Sequence, residues 1–139
     1  MAKDIIHEAI REAIERAGWN VTNDPLTIDL TEDDTYFDID LGAERETSEG
    51  VTQKVLAIEI KSFIRSSVIN AFHEALGQYL NYQAAIHEQG LDYELFMAIS
   101  EEGWERLSSF KFIQRRIKQF KLQFILVNIQ KKEITKWIR

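Results

Sequence analysis

Apolar residues recur at three- and four-residue spacing near the start of the chain. Ile6, Ala9, Ile10, Ala13, Ile14 and Ala17 mark one face of an amphipathic helix over residues 3 to 17. Gly18 follows in the position of a C-terminal cap, because glycine enters the left-handed region without a steric penalty. "WNVTNDPLTIDL" then predicts a short extended stretch, a turn at Asn23-Asp24-Pro25, and a strand with alternating Leu26, Ile28 and Leu30. "TEDD" predicts a second turn. "TYFDIDL" predicts another strand, with Tyr36, Asp38 and Asp40 on one face and Phe37, Ile39 and Leu41 on the other. "GAERETSEGVT" is polar and predicts a loop, after which Lys54 to Phe63 reads as a strand.

Ser66 or Ser67 can cap a long helix running to about His87, with Val68, Ala71, Phe72, Ala75, Leu76, Tyr79 and Leu80 as its apolar stripe. "YELFMAIS" is nearly continuous in apolar residues, which predicts a central or parallel strand. Residues 101 to 119 predict an interrupted helix with Trp104, Leu107, Phe110, Ile113 and Ile117 facing inward. "KLQFILVNI" and "EITKWI" predict two closing strands joined at Gln130-Lys131-Lys132. The order predicts mixed α and β packed around one sheet. With 139 residues, 45% of them apolar, one domain spanning 1–139 is expected.

One strand breaks its own pattern. In "VLAIEIKSF", Leu56, Ile58 and Ile60 share one face, while Val55, Ala57, Glu59 and Lys61 share the other. A buried carboxylate or ammonium is costly unless it is paired or coordinated. The simple reading is an ion pair between Glu59 and Lys61. The other is half of a site, completed by Asp40, or by Asp38 two residues earlier, brought alongside by a hairpin over residues 42–53. Two carboxylates on neighbouring strands offer the oxygen ligands that Mg²⁺ takes, and Mn²⁺ can stand in for it. The ion would polarise a phosphoryl oxygen and lower the pKa of a bound water, with Lys61 orienting the nucleophile or offsetting negative charge. An ion pair filling the site would count against this chemistry.

Charge and composition narrow the classes. There are no cysteines, which excludes disulfides and thiolate metal sites. His7, His73 and His87 fall on helices and read as surface or core-rim residues. Ser62 has no His and Asp partners near it in the pattern, against a hydrolase triad. Phe63, Phe72, Tyr79 and Tyr82 read as core rather than as a base-stacking platform. No glycine-rich phosphate loop and no long apolar span occurs, so a cytoplasmic protein without membrane contact is expected. The net charge of −6 weighs against autonomous DNA binding, yet charge is uneven. Lys111, Arg115, Arg116, Lys118, Lys121, Lys131, Lys132, Lys136 and Arg139 lie in a segment whose one acid is Glu133. That segment reads as a solvated basic face, a nucleic-acid footprint or a dock for an acidic partner.

Asp40, an intervening loop, and Glu59-Ile60-Lys61 together resemble the PD-(D/E)xK nuclease superfamily, although Ile39 stands where that motif often has proline. The resemblance implies a restriction-endonuclease-like αβββαβ core, an α/β fold with a central mixed sheet flanked by helices. It implies Asp40 and Glu59 as metal ligands and Lys61 as a catalytic group. Glu8 on the first helix would be an additional acid. Gln78 and Tyr82, four apart in "GQYLNY", resemble the Q-x-x-x-Y element of the RecB-like branch and would support the site. Beyond the motif, "DIIHEAIREAIERAGWNVTNDPL", "DIDLGAER", "AIEIKSF" and "FHEALGQYLNY" resemble the XisH family of cyanobacterial fdxN-element excision controlling factors. That resemblance implies a role in site-specific DNA rearrangement during heterocyst development, beside a recombinase and an XisI-like companion protein. DNA and a second copy of the chain are further candidate partners. A Mg²⁺-dependent hydrolase and a catalytically inactive regulatory module are the two expectations.

Overall fold

The computed structural model describes residues 2–64 and 67–139. α1 (Ala2–Arg16) is the expected N-terminal helix, and Gly18 closes it at φ +94°. The N–H groups of Gly18 and Trp19 donate to the carbonyls of Glu15 and Ile14, meeting acceptors that the last turn would otherwise leave free. β1 (Asn20–Asn23) and β2 (Leu26–Leu30) follow on either side of the Asp24-Pro25 turn. β2 pairs antiparallel with β3 (Thr35–Ile39) across the turn at residues 31–34, and the two form a small sheet of their own.

The main sheet has six strands in the order β1-β4-β5-β6-β7-β8. β4 (Leu41–Glu46), β5 (Thr52–Ile60), β6 (Glu94–Ser100), β7 (Phe124–Asn128) and β8 (Glu133–Ile138) join β1. β5, β6 and β7 run parallel at its centre, and the other pairings are antiparallel. α2 (Val68–Glu88) carries the chain from β5 to β6, and α3 (Glu101–Ser108) with α4 (Lys111–Phe120) carries it from β6 to β7. The result is a mixed sheet flanked by helices; with β2 and β3 set aside in their own small sheet, its order to β6 is α1-β1-β4-β5-α2-β6.

β5 explains its own sequence. Leu56 and Ile58 are fully buried against Ile10 and Ile14 of α1, and Ala57 is fully buried on the other face with Phe72, Ala75 and Tyr79 of α2. Helices on both sides make a strand apolar on both sides. Burying each such Leu or Ile stabilises the fold by roughly 1.5–3 kcal/mol. Ser67 caps α2, its Oγ accepting from the Asn70 N–H at 3.1 Å. Ser66, the alternative cap, lies outside the described residues.

Four expectations are corrected. "TYFDIDL", read as one strand, is two: β3 ends at Ile39 in the small sheet and β4 begins at Leu41 in the main sheet, with Asp40 at the corner between them. The stretch read as a polar loop is mostly strand: β4 runs to Glu46, and residues 47–51 turn, with the Thr47 N–H donating to the Val51 carbonyl at 2.8 Å. Gly42 and Ala43 have low strand propensity, but β4 is an inner strand where space is short. Ala43 is fully buried, and a Cβ on Gly42 would come within 3.1 Å of Asn23 Oδ1. β5 ends at Ile60 rather than Phe63, whose φ of +59° turns the chain away from the sheet. Phe110 does not face inward. It is the extended residue between α3 and α4, so it leaves the helical stripe and is 37% exposed. Among the described residues no helix is long and apolar enough to cross a membrane.

Candidate active site

Asp40 stands at the corner where the chain leaves the small sheet at Ile39 and enters the main sheet at Leu41. β4 pairs Leu41 with Ile58, so Asp40 comes level with the end of β5. Two reciprocal hydrogen bonds fix it there. The Ile60 N–H donates to Asp40 Oδ2 at 2.8 Å, and the Asp40 N–H donates to Glu59 Oε1 at 3.2 Å. The two carboxylates are thereby held side by side by backbone amides rather than by flexible side chains. Asp38 has a different partner: it sits on β3, and its Oδ1 accepts from Thr27 Oγ1 at 2.7 Å.

Glu59 lies on the Ala57 face of β5 and, among the described residues, is the buried polar side chain, 9% exposed. Lys61 follows the strand end, where its N–H donates to the Ala98 carbonyl at 3.0 Å and keeps it in register with β6. Its Nζ lies 3.4 Å from Glu59 Oε2 and also donates to Gln78 Oε1 on α2. Tyr82, one turn further along α2, is buried, and its ring packs on Phe37 with centroids 5.4 Å apart. Asp40, Glu59, Lys61 and Gln78 are therefore joined by direct contacts, and Tyr82 lies near enough to feel the charges of Glu59 and Asp40. Glu8 does not join them. It is exposed on α1, which packs on the opposite face of the sheet.

Burial and the charge of Asp40 push the Glu59 carboxyl up to about 7, while Lys61 and the Asp40 N–H pull it down. Burial also pushes the Tyr82 phenol up to about 12, helped by the charges of Glu59, Asp40 and Asp38, so the hydroxyl stays neutral at pH 7. With all three groups ionised, two carboxylates outweigh one ammonium and leave net negative charge. An oxygen-only donor pair of this kind fits a hard divalent cation such as Mg²⁺ or Mn²⁺. Among the described residues no group of three or more His, Cys, Asp or Glu side chains converges to hold a metal. An ion here would take Asp40 and Glu59 and complete its shell with water or substrate oxygens.

A supporting residue went unread in the sequence. Gly103 lies in the first turn of α3, against the segment that follows Lys61, and a Cβ there would sit 2.4 Å from the Ser62 carbonyl oxygen. The signal was present in "SEEG", a serine cap followed by a glycine in the first helical turn. Ser100 Oγ accepts from the Gly103 N–H at 3.0 Å. The aromatic residues Phe63, Phe72, Tyr79 and Tyr82 are all core, as their spacing predicts. His7 meets Asp24 at 2.9 Å, and His73 and His87 are exposed.

A central mixed sheet flanked by helices, with an Asp at one strand end and Glu-x-Lys at the next, defines the chain as a mixed α/β protein. The family model described as XisH protein matches residues 1–135. The chain belongs to the XisH family. It is similar to the crystal structure of an XisH family protein from Nostoc punctiforme PCC 73102, at 31% identity and a TM-score of 0.85, covering 98% of this chain and 100% of that one. It is also similar to the structure of an fdxN element excision controlling factor protein from Anabaena variabilis, at 30% identity and a TM-score of 0.85, covering 98% and 99%. No curated protein matches the chain.

Proposed function

We propose that this protein acts in programmed excision of a DNA element, and that it hydrolyses phosphodiester bonds with a divalent cation held by Asp40 and Glu59. The observation that carries the reading is the reciprocal pair of backbone hydrogen bonds that clamps these two carboxylates together at adjoining strand ends. Holding two like charges close costs stability unless a proton or a cation offsets it. Mg²⁺ or Mn²⁺ would supply that charge and polarise a phosphoryl oxygen. Lys61, held by Gln78, directs its ammonium into the same space, where it orients the attacking water or offsets charge building on phosphate. Tyr82 stands nearby as a neutral phenol. A nicking and cleavage assay on supercoiled DNA, in Mg²⁺ and in Mn²⁺, with and without an XisI-like companion, tests the reading. Metal-dependent cleavage lost in Glu59→Gln supports it.

The 3.4 Å contact between Lys61 and Glu59 favours a second reading, in which the ion pair fills the site and the protein is a regulatory module acting through a companion. The cleavage assay separates the two. No cutting by wild type under any metal or companion condition, together with excision support by a folded Glu59→Gln, Lys61→Ala double variant in cells, favours the module.

A further inference from the structure

The basic segment of the sequence divides in two in the fold. In its C-terminal part, two of the four cations meet acids of this same chain: Lys132 lies 3.7 Å from Glu12, and Arg139 lies 3.2 Å from Glu94 while covering Phe96 and Trp137. α4 is different. Lys111, Arg115, Arg116, Lys118 and its cap Lys121 carry five positive charges with no carboxylate between them. None of the five forms an ion pair among the described residues. A protein of net charge −6 thus gathers cations on one short helix.

Their placement is ordered. Ile113 is fully buried and Ile117 packs beside it, in the cluster that also holds Ala57, Phe63 and Tyr82 next to the Asp40–Glu59 site. Lys111, Arg115 and Lys118 stand on the opposite side of α4 at i, i+4 and i+7, an exposed row spanning about 10 Å along the helix axis. On the flank of the row Phe112 is 52% exposed, a large aromatic in water, with the guanidinium groups of Arg115 and Arg116 5.9 Å and 5.5 Å from its ring centre. An exposed row of cations matches a chain of phosphates, and an exposed ring beside it matches an unpaired base. Carboxylates alone would satisfy the cations but not engage the ring, whereas a single strand offers phosphates and bases together.

We infer that α4 is a nucleic-acid-contact helix, with Lys111, Arg115 and Lys118 on phosphates and Phe112 stacking on an exposed base of single-stranded DNA. DNA as the substrate of the Asp40–Glu59 site is the reading on which this role rests, and α4 would be the surface that holds the strand on the same side of the sheet.

The test is fluorescence-anisotropy titration of the full chain, without divalent metal, against labelled single-stranded and duplex oligonucleotides over a range of salt. Wild type should bind the single strand more tightly than the duplex. The Lys111→Gln, Arg115→Gln, Lys118→Gln triple variant should lose at least roughly tenfold in affinity, and its log–log salt slope should fall by about 2 for three single-strand phosphate contacts. Phe112→Ala should reduce single-strand affinity without changing that slope. Should the triple variant misfold by circular dichroism, Arg115→Gln alone should lower the slope by about 0.7. Wild-type affinity and slope in a folded α4 variant overturn the inference. So does unaltered DNA binding with lost affinity for an acidic companion protein, which would make α4 a protein dock. Glu59→Gln keeps the α4 surface, so it should still bind the single strand even though cleavage fails. DNA binding through α4 with no cutting by wild type therefore sinks the nuclease reading alone, and cutting with binding indifferent to α4 sinks this one alone.

Discussion

The Asp40 N–H donates to Glu59 Oε1 at 3.2 Å, and this bond holds a buried carboxylate against a second one. The cost of that arrangement should appear as a pH dependence of stability. The Glu59 carboxyl is raised from its ordinary 4.5 to about 7, so the folded protein holds this proton more tightly than the unfolded chain. Its contribution is fully present below about 4.5 and is lost as pH rises through about 7. The loss is on the order of 3 kcal/mol. In metal-free buffer, thermal melts should therefore give a higher Tm at pH 6 than at pH 8. Glu59→Gln keeps an oxygen for the Asp40 N–H and removes the charge, so it should flatten this dependence and melt above wild type at pH 8. A Glu59→Gln profile as steep as wild type would mean the dependence arises elsewhere.

Divalent cation should offset the same cost. If Asp40 and Glu59 hold Mg²⁺ or Mn²⁺, added ion should raise Tm, by about 2.7 kcal/mol of stability when it is a hundredfold over its Kd. The rise should be larger at pH 8 than at pH 6, because protons compete with metal for Glu59. Asp40→Asn and Glu59→Gln should each abolish it. Differential scanning fluorimetry with Mg²⁺, Mn²⁺ and Ca²⁺ reads the effect directly, and equal shifts in the two variants and wild type would show that the ion binds elsewhere.

How far the sequence carried this site depends on the kind of interaction. Alternation in "VLAIEIKSF" placed Glu59 and Lys61 on one side, and helical spacing placed Gln78 and Tyr82 one turn apart, because both follow from backbone periodicity. The choice between Asp38 and Asp40 was not legible. It is decided by a change of sheet at residue 40, which no local pattern marks. Glu8 satisfied the motif by order along the chain, yet its helix packs on the far face, a tertiary fact. β4 was hidden because Gly42 and Ala43 are selected by the space between β1 and β5 rather than by strand propensity. Phe110 fitted a helical stripe that the break before α4 interrupts.

Gly103 should be intolerant of a side chain. A Cβ there would stand 2.4 Å from the Ser62 carbonyl, a backbone atom that cannot swing away as a flexible side chain would. Gly103→Ala must therefore move the 61–63 segment or the start of α3, at a cost of roughly 1–3 kcal/mol. Ala is otherwise the better helix former, so the opposite sign, a rise in Tm, would show that the segment yields without strain. Displacing that segment moves Lys61, and any cleavage activity should fall more than the melting temperature alone explains.

Lys61 and Gln78 should separate chemistry from metal binding. Lys61 Nζ reaches both Glu59 and Gln78, so Lys61→Ala removes the cation next to the carboxylate pair, while Gln78→Ala leaves the cation and removes its second anchor. With Lys61 gone, one influence that lowers the Glu59 pKa is lost, so Glu59 holds its proton to higher pH and the Tm–pH profile should shift toward alkaline values. Metal binding, read by calorimetry at pH 8, should persist in both variants because the ion's ligands are Asp40 and Glu59. Cleavage should fall sharply in Lys61→Ala and less in Gln78→Ala, where the ammonium is present but less well placed. Lys61→Arg keeps the charge with a different reach and should recover part of the pH profile but little of the rate. If Lys61→Ala cuts DNA as wild type does, lysine is only the partner that makes Glu59 tolerable in the core, and the water must be oriented by another group.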